Sequence, residues 1–210
     1  HAWARLSATP DEAWADTWKS LVTAEEGERL VAVEANASHV PMWDLQGPDQ
    51  AAWFRHGPGL ETEPATNGAF SVIPDGEEVI GGILPGGVHT HLLSRRQPGV
   101  FQSPRFVVDS DSLFVRVLGR GAVARLVIEN YPIGNGGVFP AVRPERDDPA
   151  WIRLDTNYRR GSHAYLELVT DPAERAFFGI TAVMKGDSRE PPRDTFRAGA
   201  PILHGAVPHD

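Results

Sequence analysis

The stretch Leu113-Phe-Val-Arg-Val-Leu-Gly-Arg-Gly-Ala-Val-Ala-Arg-Leu-Val-Ile-Glu-Asn130 decides the fold class. Val115 and Val117 put apolar side chains on one side of a period-2 pattern, as do Leu126 and Ile128. Arg116 and Arg125 point the other way. Gly119-Arg120-Gly121 punctuates the two runs. This is the signature of two strands, each with one face buried.

The same rhythm continues outward. Phe70–Ile73, Glu78–Leu84, Gly99–Phe101, Arg105–Val108, Leu113–Leu118, Ala122–Asn130, Ala150–Asp155, Ser162–Val169 and Ala176–Met184 all read as short strands. Turn clusters separate them: Pro74-Asp75-Gly76, Pro85-Gly86-Gly87, Asp109-Ser110-Asp111 and Arg159-Arg160-Gly161. Many strands without alternating helices point to a mainly β chain, an antiparallel jelly-roll β-sandwich. The 21 glycines and 18 prolines of this 210-residue chain then act as turn punctuation. The N-terminal part differs. Thr9-Pro10-Asp11-Glu12 reads as a helix start and Gly27 as a stop, which predicts an amphipathic helix over 10–27 carrying Trp14, Trp18, Leu21 and Val22. Leu30–Ala35 alternates as a strand. The expected organisation is a helical segment over 1–29, a sandwich over 30–187 and a Pro-rich extended tail or linker over 188–210.

The net charge of −8 makes phosphate-backbone binding a poor expectation, so no nucleic-acid partner is anticipated. Lys19 and Lys185 are the only lysines, and arginine suits planar, bidentate hydrogen bonding. The absence of cysteine excludes disulfide frameworks, thiol catalysis and Cys-ligated metal centres. No apolar run approaches the ~18 residues of a spanning helix and no signal-peptide pattern is present, so a soluble mature protein or an excised domain is expected.

Several residues carry candidate chemistry. His1 could offer an amine and an imidazole to copper, with His89 or His91 as third ligand and Phe177 or Phe178 at the axial position. His1 could equally be no more than the first residue of the chain. Asp109, Asp111, Glu145, Asp147, Asp148 and above all Asp155 could supply oxygen ligands for a structural calcium, although solvated turns explain them as well. Sugar recognition needs flat aromatic faces and planar polar groups. Tyr131, Tyr158 and Trp53 are the stacking candidates, within a set that includes Trp43, Phe54, Arg55 and His56. Asn130, Arg95, Arg96 and His91 are the hydroxyl-binding candidates, and Arg95 and Arg96 are expected on opposite faces of a strand. Trp151 and Tyr165 fit alternating strands and read as core. No nucleophile elbow, P-loop, zincin or dinucleotide motif is present, and a glycosidase carboxylate pair has no support from spacing.

The central signature resembles a known domain. It runs Gly82-Ile-Leu-Pro-Gly-Gly-Val-His-Thr-His-Leu-Leu-Ser-Arg-Arg96, Phe101-Gln-Ser-Pro-Arg-Phe106, Val115-Arg-Val-Leu-Gly-Arg-Gly121, Arg125-Leu-Val-Ile-Glu-Asn-Tyr131, Trp151-Ile-Arg-Leu-Asp155 and Gly161-Ser-His-Ala-Tyr-Leu-Glu-Leu168. This resembles a β-sandwich domain within large planctomycete surface or periplasmic proteins that also carry cytochrome c domains. It is also similar to galactose-binding-like jelly rolls and to accessory sandwiches beside glycoside hydrolases. The resemblance spans roughly Glu34 to Asp187. It implies a non-catalytic carbohydrate-binding module, excised from a larger polysaccharide-processing or redox protein. It further implies a periplasmic, cell-surface or secreted location, with polysaccharide and the neighbouring domains as partners. An internal His1 would lack the free amine that copper needs. The alternatives are a copper-dependent lytic polysaccharide monooxygenase and a structural docking domain without ligand. Arginine richness adds the expectation of an acidic or sulfated glycan.

Overall fold

The computed structural model describes residues 2–73, 79–131, 140–170 and 175–194. Two helices, α1 (Ala2–Ser7) and α2 (Asp11–Ala35), precede thirteen strands. These are β1 (Val40–Asp44), β2 (Phe54–His56), β3 (Ala69–Val72), β4 (Ile80–Leu84), β5 (Val88–His89), β6 (Val100–Gln102), β7 (Phe106–Val107), β8 (Ser112–Arg120), β9 (Ala122–Ile128), β10 (Ala141–Val142), β11 (Arg146–Asp155), β12 (His163–Thr170) and β13 (Phe177–Gly186).

Two antiparallel sheets form the sandwich. The first has the order β1-β13-β8-β11, with β5 also on β13; the second has the order β10-β9-β12-β6-β2, with β7 also on β12. The chain crosses between layers from β8 to β9, from β10 to β11, from β11 to β12 and from β12 to β13. Repeated crossing of this kind makes the jelly roll. A ribbon of β3 and β4 stands apart from both sheets.

The alternation read in the opening stretch is what fills the core. Leu113, Val115 and Val117 from the first sheet meet Ala124, Leu126 and Ile128 from the second in one cluster. Leu154, Phe178, Ile180, Phe101, Leu166 and Leu168 complete it, with Trp53 at one edge. Gly121, at φ +61, turns the chain from one layer to the other in a conformation that a side chain would resist.

The outer face of the first sheet is covered. Phe114, Arg116 and Leu118 point away from the core, yet all three are buried. His39 packs edge-on against Phe114, with 4.9 Å between ring centroids, and its Nε2 donates to the Glu190 carbonyl at 2.9 Å. Arg116 reaches Asp194 at 2.7 Å and Thr181 Oγ1 at 3.1 Å. Asn36 holds the Arg193 backbone from both sides, accepting from its N–H at 2.7 Å and donating to its carbonyl at 2.8 Å. The described part of the expected tail is thus a strap packed across this sheet. Residues 195–210 lie outside the described residues, as does the Pro74-Asp75-Gly76 turn.

Four expectations at the N-terminal end need correction. Leu30–Ala35 is helical, not a strand, and the boundary placed after residue 29 falls inside α2. Gly27 does not stop the helix. Nothing lies within 4 Å of a Cβ built there, so it is an exposed interior position that costs about 1 kcal/mol relative to alanine without breaking the helix. Thr9 does not cap α2 either, because its hydroxyl donates back to the Arg5 carbonyl at 2.7 Å. Leu6, Trp18, Leu21 and Val22 close a small helical cluster of their own, with Trp14 stacked on Trp18.

Candidate functional site: the open face of the second sheet

On β12, Ala164, Leu166 and Leu168 enter the core, so Tyr165, Glu167 and Val169 face outward. Register then builds a row across four strands. Glu167 stands opposite Arg125 of β9 on one side and Gln102 of β6 on the other, and Gln102 stands opposite Phe54 of β2. With strands about 4.8 Å apart, the row Arg125–Glu167–Gln102–Phe54 is about 14 Å long.

The middle of the row is locked. Arg125 donates from Nε at 2.6 Å and from a terminal nitrogen at 2.5 Å to one oxygen of Glu167. Gln102 donates to the other oxygen at 2.6 Å. Glu167 is buried, and three charge-assisted donors meet the requirement for keeping a carboxylate there. At the end of the row Phe54 is 56% exposed, and its ring lies parallel to His56 with centroids 6.4 Å apart. Next along β12, the Tyr165 hydroxyl is pushed above its ordinary pKa, chiefly by burial and then by the nearby Glu167 charge.

A strained turn rims this face. Glu129 (φ +50) and Asn130 (φ +64) are the described non-glycine residues with positive φ, and Tyr131 N–H donates to the Ile128 carbonyl at 2.9 Å. This is a type I′ turn, which favours Asn-Gly. Glu-Asn here carries a cost of about 1 kcal/mol or more. Both side chains are in use. Glu129 accepts the His163 backbone N–H at 2.7 Å, and Asn130 accepts from the Arg105 guanidinium. Arg105, Val127, Asn130, His163 and Tyr165 line a cavity of about 10 Å³ between turn and sheet, enough for one water.

The expected site residues do not form one group. Asn130 and Tyr131 lie on the rim just described, and Tyr131 is 63% exposed. Tyr158 is exposed on the 3-10 turn before β12, with the Arg159 guanidinium 5.5 Å from its ring centre. Trp53 is not a stacking platform. It is buried, parallel to Phe101 with 4.5 Å between ring centroids and edge-on to Trp43 at 5.1 Å. Its neighbour Phe54 takes the outward position. Trp151 and Tyr165 are half-buried on outer faces and lie outside the core. Arg95 and Arg96 lie in a loop, not on a strand. Arg95 stacks over the Phe177 ring at 4.4 Å and approaches Asp147 at 3.6 Å.

His89 and His91 are buried beside that arginine. His89 Nε2 donates to the Pro85 carbonyl at 2.9 Å, and a Cβ built on Gly179 would lie 2.2 Å from its Nδ1. Nδ1 of His89, like Nδ1 of His91, is buried without a hydrogen-bond partner, while the bare Cα of Gly179 leaves room for the His89 ring. Burial lowers His89 to about 4; burial, with the neighbouring His89 and Arg95 charges, lowers His91 to about 3. Both are neutral at pH 7. His1, the first ligand of the copper expectation, lies outside the described residues. Among the described residues, no group of three or more His, Asp or Glu side chains comes together around a metal-sized space. Asp155 pairs with Arg153 at 3.1 Å and accepts the Asn157 N–H at 3.2 Å. Asp111 pairs with Arg160, Asp109 with Lys185 and Asp147 with Arg120.

Gln102, Arg125, Tyr165 and Glu167 are the face residues that residue-by-residue reading passed over. Their signal was present in the alternation. Arg125 reads as pointing away from the core, and Ala164-Tyr-Leu-Glu-Leu168 alternates with two polar-capable residues outward.

No protein-family model matches this chain, and no curated protein matches it. Solved structures with similar folds include a family 29 carbohydrate-binding module in complex with cellulohexaose (TM-score 0.39, 11% identity, 71% of this chain and 92% of that chain). They also include a family 61 module in complex with β-1,4-galactotriose (TM-score 0.39, 12% identity, 69% and 94%). A family two carbohydrate esterase from Cellvibrio japonicus is similar over 65% of this chain and 34% of that one, at TM-score 0.30 and 8% identity. These likenesses carry no ligand over to this chain. No described helix is long and apolar enough to cross a membrane.

Proposed function

We propose that this chain is a non-catalytic carbohydrate-binding module whose ligand lies on the outer face of the second sheet. The observation that supports it is the asymmetry between the two layers. One outer face is buried under a strap and a loop, while the other keeps Phe54, His56, Tyr165 and a row of planar polar groups accessible. Phe54 offers a ring to pyranose C–H groups, and Gln102 and Arg125, held in place by the buried Glu167, offer polar groups to hydroxyls. The proposal extends to a place within a longer polysaccharide-processing or redox protein outside the cytoplasm, on the resemblance carried by the Gly82–Leu168 signature.

Affinity electrophoresis against a polysaccharide panel tests the reading. Phe54→Ala is expected to weaken retardation by about tenfold while changing stability by less than about 0.5 kcal/mol, because the ring is exposed. Full retardation of the Phe54→Ala chain would place the ligand elsewhere. Asn130→Gly separates strain from use. It is expected to hold or raise the melting temperature, since glycine accepts this φ freely, yet to weaken binding by releasing Arg105. A variant that is less stable and binds normally would contradict the role given to the turn.

A further inference from the structure

We infer that the open face of the second sheet selects an uncharged glycan. This rests on the binding reading above and narrows it, and it replaces the expectation of an acidic or sulfated ligand drawn from arginine content. The deciding feature is how the charges on this face are already spent. Among the described residues, two arginines and two carboxylates line it: Arg125 with Glu167 in the middle, and Arg105 and Glu129 at the rim. Their sum is zero.

The pairing matters more than the sum. Arg125 already meets the buried Glu167, which also takes the Gln102 amide. A uronate or sulfate that competed for Arg125 would leave Glu167 buried with its main counter-charge removed. Breaking a buried pair in this way costs more than an exposed substitute returns. A hydroxyl makes no such demand. It can accept from Arg125 or donate to a carboxylate lone pair with the ion pair intact. At the rim, Arg105 is engaged by Asn130, and the Glu129 carboxylate, held by the His163 backbone N–H, lines the same small cavity and repels an anion there. The net charge of −8 adds a long-range penalty for any polyanion at low salt. Phe54 and Tyr165 supply ring faces that read shape without regard to charge.

The test uses the full chain at about pH 8. Native gels carry galactomannan, xyloglucan or mixed-linkage β-glucan in one set and polygalacturonate or alginate in the other. Retardation by at least one neutral polymer and by neither acidic one is expected. Affinity for that neutral polymer should change by less than about twofold between about 0.1 and about 1 M NaCl, although the Debye length falls from about 10 to about 3 Å. Retardation by the acidic polymers alone would overturn the inference and leave the binding reading standing. A tenfold loss with salt would also overturn it, at about 1.4 kcal/mol of screened attraction. No retardation by any polymer removes both. The variant E167Q frees the Arg125 charge at nearly constant shape. It is expected to gain retardation by polygalacturonate of at least about threefold, and an E167Q chain as indifferent to polygalacturonate as the parent would overturn the role given to the ion pair.

Discussion

Between pH 8 and pH 5 the chain is expected to lose about 4 kcal/mol of stability, roughly half from each of two buried histidines. His89 and His91 titrate near 4 and 3 in the folded state, against an ordinary 6.5 in the unfolded chain. The folded values are depressed, so between 6.5 and about 4 the unfolded chain binds more protons. Their contribution is complete above 6.5 and is lost as pH falls through that value. At pH 5 each group is 1.5 pH units below its unfolded pKa, worth about 2 kcal/mol. Other charges around the pair shape the profile. Arg95 stacks on Phe177 and opposes protonation of His91, while Asp147 favours it. Asp147 itself is held below the usual carboxylate range, first by its hydrogen bond from Arg120, so its own contribution fades only at still lower pH. Urea midpoints measured across this range check the prediction. His91→Phe should remove about half of the slope, because Phe177 already offers an aromatic neighbour at 4.4 Å. A flat profile in the parent, or an unchanged slope in the variant, would refute the assignment.

Arg125→Met is expected to destabilise the fold by about 3 kcal/mol, the cost of leaving the Glu167 carboxylate buried without its main partner. The figure sits at the low end of the range for buried pairs because the arginine side chain remains 25% exposed. The double change Arg125→Met with Glu167→Leu should recover most of that loss, since two apolar groups of similar volume need no partners. Both variants should fail to bind glycan, which separates stability from recognition: the double variant folds well and binds nothing. A single variant that loses under about 1 kcal/mol would mean that solvent reaches Glu167 freely. These experiments together ask whether the row that holds β9, β12 and β6 in register is also the row that meets the ligand.

Strand identity was legible in the sequence because alternation is a local property. Val115, Val117, Leu126 and Ile128 declared their faces, and nine expected runs correspond to strands of the fold. The strands that escaped reading are β1, β2 and β10, which are two to five residues long and too brief to show a period. The helix was legible at its start and misjudged at its end. Leu30, Val31 and Val33 alternate like a strand, but Gly27 lacks the power to stop a helix already 16 residues long.

The site divides the same way. Side-chain type and outward direction were set by the chain alone, so Asn130 and Tyr131 could be picked out at a strand end, and Arg125 could be assigned to the outer surface. Which outer surface stays open could not. Arg116 and Arg125 look equivalent in sequence, each the polar member of an alternating run. Tertiary structure separates them by what arrives from far along the chain. Asp194 and the strap bury Arg116 from 78 residues away, while Glu167, 42 residues away, pairs with Arg125 and leaves its face uncovered. Trp53 and Phe54 differ by one position, and the alternation of the extended chain entering β2 sends the first ring into the core and the second into solvent. Local chemistry wrote the candidates, and long-range packing chose among them, because burial depends on what the rest of the chain places on top.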